Sequence, residues 1–124
     1  MKATGWKLDR FLRVRLLERF PPAWPDVIAD HVTLTPPKAR QEAPATAEEG
    51  SIVGHVNDGE GLQALVVEIR GTTARPDGGT YHITWSIDRA RGREPKDSND
   101  VLARLGWDPV DAPITIPLVP ASWP

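Results

Sequence analysis

The chain holds three histidines, and two of them head the same short pattern. His31-Val32-Thr33-Leu34 and His82-Ile83-Thr84-Trp85 both read histidine, apolar residue, threonine, apolar residue. Residues two apart on a strand project from one face, so a strand presents each imidazole together with its hydroxyl. His55 is followed by Asn57 at the corresponding place and reads as an ordinary strand residue. If two such strands border one groove, two imidazoles and two hydroxyls converge. Imidazole titrates near neutral pH, so one ring can be neutral while the other carries a proton. The neutral ring can take a proton from an attacking water, and the protonated ring can give one to a leaving oxygen. The threonine hydroxyls can donate to non-bridging oxygens as negative charge develops. A phosphodiester suits this set, having an attacking side, a leaving side and two oxygens to hold. A strained 2′,3′-cyclic phosphate suits it best. Such chemistry calls for no metal or other cofactor. Apart from Asp30 beside His31, no carboxylate or histidine cluster has the spacing of a metal site.

The elements that must position these residues follow from the spacing of apolar side chains. Leu8, Phe11, Leu12, Leu16, Leu17 and Phe20 recur every three or four residues and predict a first helix, ended by Pro21-Pro22. Val27 to Thr35 reads as a strand carrying the first motif. Pro36 to Gly50 has no apolar period and reads as a long exposed loop. Ser51 to Val56 and Leu62 to Arg70 read as strands of a hairpin, joined through Asn57-Asp58-Gly59-Glu60-Gly61. Gly71 to Gly79 reads as a further turn region. Tyr81 to Ile87 alternates strictly, with Tyr81, Ile83, Trp85 and Ile87 on a core face and His82, Thr84 and Ser86 on the other. A short helix is expected from Asp97 or Ser98, closed by Gly106. A last strand, Ile114 to Val119, contains Pro117 and is expected at a sheet edge.

With 124 residues, the chain is read as one compact domain, 1–124. The absence of cysteine excludes disulfides, thiolate metal sites and a cysteine nucleophile. The net charge of −2 argues against a uniformly basic nucleic-acid coat. No apolar run approaches the roughly 18 residues of a membrane span. No apolar leader follows Met1, so a cytoplasmic, monomeric protein is expected. Position adds three further candidates for contacting substrate. Ser86 shares the predicted face of His82 and Thr84. Lys96 closes a basic stretch with Arg89, Arg91 and Arg93. Ser98, with Asn99, opens the second helix, whose free amides could bind an anion. Each has a plain alternative: a surface residue, a solvated loop, a helix cap.

Two His-x-Thr motifs on strands resemble the signature of the two-histidine phosphoesterase superfamily. Its members include bacterial RNA 2′,3′-cyclic phosphodiesterases, 2′–5′ RNA ligase-like proteins and the phosphodiesterase domains of tRNA ligases. The last group is similar over more of the chain. Phe20-Pro21-Pro22 through Ala29-Asp30-His31-Val32-Thr33-Leu34 looks like the approach to its first motif. Tyr81-His82-Ile83-Thr84-Trp85, followed by Glu94-Pro95-Lys96-Asp97-Ser98-Asn99 and a helix, looks like its second half. The resemblance implies an α+β fold: two lobes of antiparallel sheet around a central groove, with about two flanking helices and one His-x-Thr per lobe. It implies His31 and His82 as the acid–base pair and Thr33 and Thr84 as phosphate holders, without saying which histidine is the base. The implied activity is metal-independent hydrolysis of a 2′,3′-cyclic phosphate to a 2′-phosphate, in RNA processing or repair. Its substrates would be RNA ends or small cyclic nucleotides. This chain is shorter than typical members. Three other classes compete: a non-catalytic module of the same fold holding RNA ends or a phosphorylated ligand, an interaction domain in which both motifs are incidental surface, and a histidine-based metal enzyme.

Overall fold

In a computed structural model, residues 3–35 and 47–123 are described. They form a mixed α+β fold of one seven-stranded antiparallel sheet and two α-helices. The strands are β1 (Ala3–Leu8), β2 (Asp26–Val27), β3 (His31–Thr35), β4 (Glu49–Asn57), β5 (Leu62–Glu68), β6 (His82–Ile87) and β7 (Asp108–Trp123). Their order across the sheet is β2-β6-β5-β4-β7-β1-β3. The helices are α1 (Arg10–Arg19) and α2 (Asp97–Leu105). No helix among the described residues is long and apolar enough to cross a membrane.

The first helix is shorter than its apolar spacing predicts, because Leu8 belongs to β1. Asp9 makes the break: its carboxylate accepts the Leu12 amide at 2.9 Å and caps α1. Leu16 is buried, whereas Phe11 is 88% exposed and Val14 57%. The predicted strand from Val27 to Thr35 is two strands. Ala29 turns the chain with a φ of +42°, so Asp26–Val27 pairs with β6 and His31–Thr35 pairs with β1. Amides of Ile28 and Ala29 still bond the carbonyls of Trp85 and Thr84 on β6. That crossing brings β3 against β6 although they lie near opposite ends of the strand order.

The β4–β5 hairpin forms, and its first strand already includes Glu49 and Gly50. The rest of the predicted 36–50 loop, up to residue 46, lies outside the described residues. The last strand departs most from expectation. It runs 16 residues and sits inside the sheet, not at its edge. Its first part, through Pro117, pairs with β4; from Leu118 to Trp123 it pairs with β1. Each part therefore has one neighbour, and Pro109, Pro113 and Pro117 can each lack an N–H without breaking a second ladder.

Besides a bulge at Leu34 on β3, two bulges set which side chains of β4 and β6 share a face. One lies between Ile52 and Gly54 on β4, the other at Trp85 on β6, where Gln63 faces Ser86 but Ala64 faces Thr84. Leu65, Ile83 and Trp85 join the cluster around Trp6, Ile52 and Leu16. On the opposite face Ala64, Val66 and Ile87 pack with Val101 and Leu102 of α2.

Candidate functional site

His82 and Thr84 lie on the α2 side of β6, and the β3 crossing delivers His31 and Thr33 to the same place. All four line one cavity of about 250 Å³, together with Arg75, Lys96, Asn99 and Trp123. Of the candidates named from sequence, five converge here: both histidines, both threonines and Lys96. A larger and more open hollow of about 550 Å³ lies beside His55 and Asp108, and neither motif reaches it.

Both histidines line the cavity, and in both Nδ1 is the occupied ring nitrogen. His82 Nδ1 lies 2.7 Å from the Thr80 carbonyl oxygen. A carbonyl only accepts, so Nδ1 carries the hydrogen, and Nε2 has no hydrogen bond among the described residues. His31 Nδ1 lies 3.0 Å from Oδ2 of Asp30, which likewise requires a hydrogen on Nδ1. Asp30 is a hub: Lys7 Nζ reaches its Oδ2 at 2.6 Å and Arg10 pairs with its Oδ1. Partial burial acts to raise the Asp30 pKa. The hydrogen bonds from Lys7, Arg10 and His31 outweigh it and hold the carboxyl well below the usual carboxylate range. The His31 ring lies tilted against Trp123, with centroids 4.5 Å apart, and Lys7 sits over the same indole.

The electrostatics differ between the two rings. Burial pushes both below the ordinary histidine value. At His31 the hydrogen bond and charge of Asp30 oppose that push. At His82 the main opposition is the neutral Thr80 carbonyl, while the charges of Arg75 and His31 add to the lowering. The anionic partner that supports a proton on His31 is Asp30, whereas the hydrogen-bond partner of His82 is a neutral carbonyl.

The threonines are also unequal. The Thr33 hydroxyl makes no hydrogen bond among the described residues, and Thr33 lines the cavity. The Thr84 hydroxyl donates to the Pro95 carbonyl at 3.1 Å and lies 2.8 Å from Ser98 Oγ. It is tied to the start of α2. Ser98 itself is fully buried in this bond and does not line the cavity. The first amides of α2 are not free for an anion either: Asp97, Ser98 and Asn99 donate to the carbonyls of Glu94, Pro95 and Lys96.

Ser86 corrects the expectation of strict alternation. The bulge at Trp85 turns it to the opposite face from His82 and Thr84, where it opposes Gln63. Its hydroxyl donates to Gln63 Oε1 at 2.7 Å and accepts the Trp24 amide at 3.2 Å. Two arginines of the basic stretch before Lys96 are spent locally. Arg93 pairs with Asp58 at 2.6 Å, and Arg91 pairs with Asp88 and covers the Trp24 ring. Lys96 is 78% exposed at the cavity mouth, beside Glu94.

Arg75 is the lining residue that sequence reasoning passed over. It stands in a segment read only as a turn, and no spacing marks it. Trp123 is likewise brought in by tertiary structure alone, whereas Asn99, named from sequence with Ser98, reaches the cavity by its side chain and not by a free amide. Among the described residues no group of three or more histidine, cysteine, aspartate or glutamate side chains is placed to hold a metal ion. Comparison with protein-family models, with curated proteins and with solved structures returns no match.

Proposed function

We propose that this chain is a metal-independent phosphodiesterase that opens 2′,3′-cyclic phosphates on RNA ends or small nucleotides. The observation that carries the reading is the convergence of both His-x-Thr motifs on one cavity, each ring offering Nε2. His82 Nε2 takes a proton from water as the water oxygen bonds to phosphorus. The P–O3′ bond breaks, and Nε2–H of His31 returns a proton to O3′, leaving a 2′-phosphate. The negative charge of the bound phosphate raises the pKa of the nearby ring and supports its protonated form. Thr33 donates to a non-bridging oxygen. We read the change of partner along β7 as the division between two lobes, with β3 in one and β6 in the other. A cytoplasmic role in RNA processing or repair goes with this activity.

One observation favours a second reading, a module of the same fold that holds a phosphorylated end without turnover. The Thr84 hydroxyl is committed to Pro95 and Ser98, so it is not poised toward a reacting phosphate. The test is hydrolysis of nucleoside 2′,3′-cyclic monophosphates and of a short RNA ending in a 2′,3′-cyclic phosphate, with EDTA present. Turnover that disappears in both His31→Ala and His82→Ala supports the two-histidine mechanism. Saturable binding without product, from folded wild type, supports the binding module.

A further inference from the structure

We infer that Arg75 is the anion-holding residue of the cavity and that its free Nη1 group takes the phosphoryl oxygens; this deepens the phosphodiester reading and rests on it. The lining has a marked bias of charge. It includes two cations, Arg75 and Lys96, and no aspartate or glutamate. The carboxylates that serve the site lie behind it. Asp30 holds His31, Asp77 holds Arg75 and Glu94 holds Lys96.

Arg75 is only 7% exposed. Its Nε donates to Asp77 Oδ1 at 2.8 Å, and Nη2 donates to Asn99 Oδ1 at 3.0 Å. No hydrogen bond of Nη1 exists among the described residues. The one buried side-chain nitrogen or oxygen left without a partner among them is Arg93 Nε. Nη1 of Arg75 is therefore not sealed away, and Arg75 lines the cavity. A guanidinium so placed has three of its five donors left, two of them on Nη1, for the non-bridging oxygens.

The loop is built to hold the group still. Ala74 and Thr80 bridge the two sides, the Arg75 amide bonds the Gly79 carbonyl, and the Gly78 amide bonds the Arg75 carbonyl. Asp77 Oδ1 accepts the Gly79 amide as well as Arg75 Nε, so one carboxylate ties loop and guanidinium together. Gly78 has a φ of +93°, which a side chain would strain. Asn99 fixes the guanidinium from α2, while its own Nδ2 donates to the Lys96 carbonyl. The geometry is thus set before any ligand arrives, which limits the ordering cost of binding. With Thr84 committed to α2, Arg75 is the best-placed fixed donor on the His82 side.

The test uses inorganic phosphate and adenosine 2′-monophosphate as probes, with binding followed by calorimetry on wild type, Arg75→Lys and Arg75→Met. Loss of a charge-assisted pair predicts binding about ten- to a hundredfold weaker in Arg75→Met. Arg75→Lys restores little of it, because an ammonium cannot keep Asp77 and Asn99 and also reach the ligand. Because a buried arginine variant can fail to fold, a second measurement follows the Arg75 Nε–H signal of wild type by NMR as each probe is added. A shift that saturates with binding is expected. Binding of the probes to Arg75→Met within twofold of wild type, a wild-type Arg75 signal that does not move at saturation, or no binding of either probe to wild type would each overturn the inference. Binding through Arg75 without hydrolysis would sink the phosphodiesterase reading and leave this one standing. Hydrolysis with unchanged kcat and KM in Arg75→Met would do the reverse.

Discussion

Asp30 offers the sharpest separation of a positioning role from a structural one. Asp30→Asn keeps the shape and one acceptor oxygen but removes the charge that faces His31, Lys7 and Arg10. Lys7 and Arg10 are 38% and 62% exposed, and such pairs contribute at most about 1 kcal/mol each. The expected loss of stability is therefore about 1–2 kcal/mol, small against the ~5–15 kcal/mol of a typical domain. The variant should fold. The bond to His31 is charge-assisted whenever the ring is protonated, and such bonds are worth about 1.5–3 kcal/mol. With His31 28% and Asp30 23% exposed, the lower half of that range applies. At about 1.4 kcal/mol per tenfold, kcat should fall roughly 10- to 30-fold. Because Asp30 does not line the cavity, KM should hardly move.

Two assays check this. Steady-state kinetics on a nucleoside 2′,3′-cyclic monophosphate across pH 5 to 9 separates kcat from KM. NMR titration of the imidazoles needs no turnover, and with three histidines in the chain the spectra are simple. Asp30 opposes the lowering of the His31 pKa, so in Asp30→Asn His31 should titrate at still lower pH, with His55 unmoved. A kcat within twofold of wild type at every pH, beside an inactive His31→Ala, would refute the positioning role. So would a His31 titration that stays where it is.

Three further outcomes are expected. The histidines His31, His55 and His82 all have folded pKa values below the ordinary 6.5, with burial the largest cause, so the unfolded chain binds more protons. Their contribution to stability should be complete above pH 6.5 and decline as pH falls below it; Tm measured from pH 8 to 5 should drop, and His82→Gln should shrink the drop, whereas a flat profile would contradict the burial argument. Ser86→Ala should cost about 1–3 kcal/mol in denaturant unfolding, since it strips buried partners from Gln63 and the Trp24 amide, yet leave kcat and KM unchanged; altered kinetics in a stable variant would return Ser86 to the cavity side. Gly5→Ala should be the more damaging change. Its Cβ would sit 2.1 Å from the Val32 carbonyl oxygen, a backbone atom that cannot step aside, so a loss of at least about 3 kcal/mol is expected by thermal or denaturant unfolding.

Much of the candidate site was legible because its signal is local. The two His-x-Thr motifs lie on strands, and period two is enough to pair each ring with its hydroxyl. Lys96 was legible as part of a charged run. What escaped was carried by events that a residue-by-residue pattern does not contain. Ser86 has the right spacing from Thr84, but the bulge at Trp85 reverses it, and a bulge is decided by how β6 meets β5, not by the alternation of β6 itself. The last strand was foreshortened because each proline argues against a ladder. The argument holds only for a strand paired on both sides, and β7 never is: it changes partner after Pro117. Arg75 escaped for the opposite reason, since a turn sequence predicts exposure and nothing in Arg75-Pro76-Asp77-Gly78-Gly79 announces a buried guanidinium. In the fold Asn99, 24 residues away on α2, accepts from one of its donors. The first helix shows the same limit from the other side. Leu8 fits the helical period, yet the Asp9 cap and the pairing of Leu8 with Leu118 claim it for β1. Where a local pattern and a tertiary bond compete for one residue here, the tertiary bond wins, and the residues it wins include those that complete the cavity.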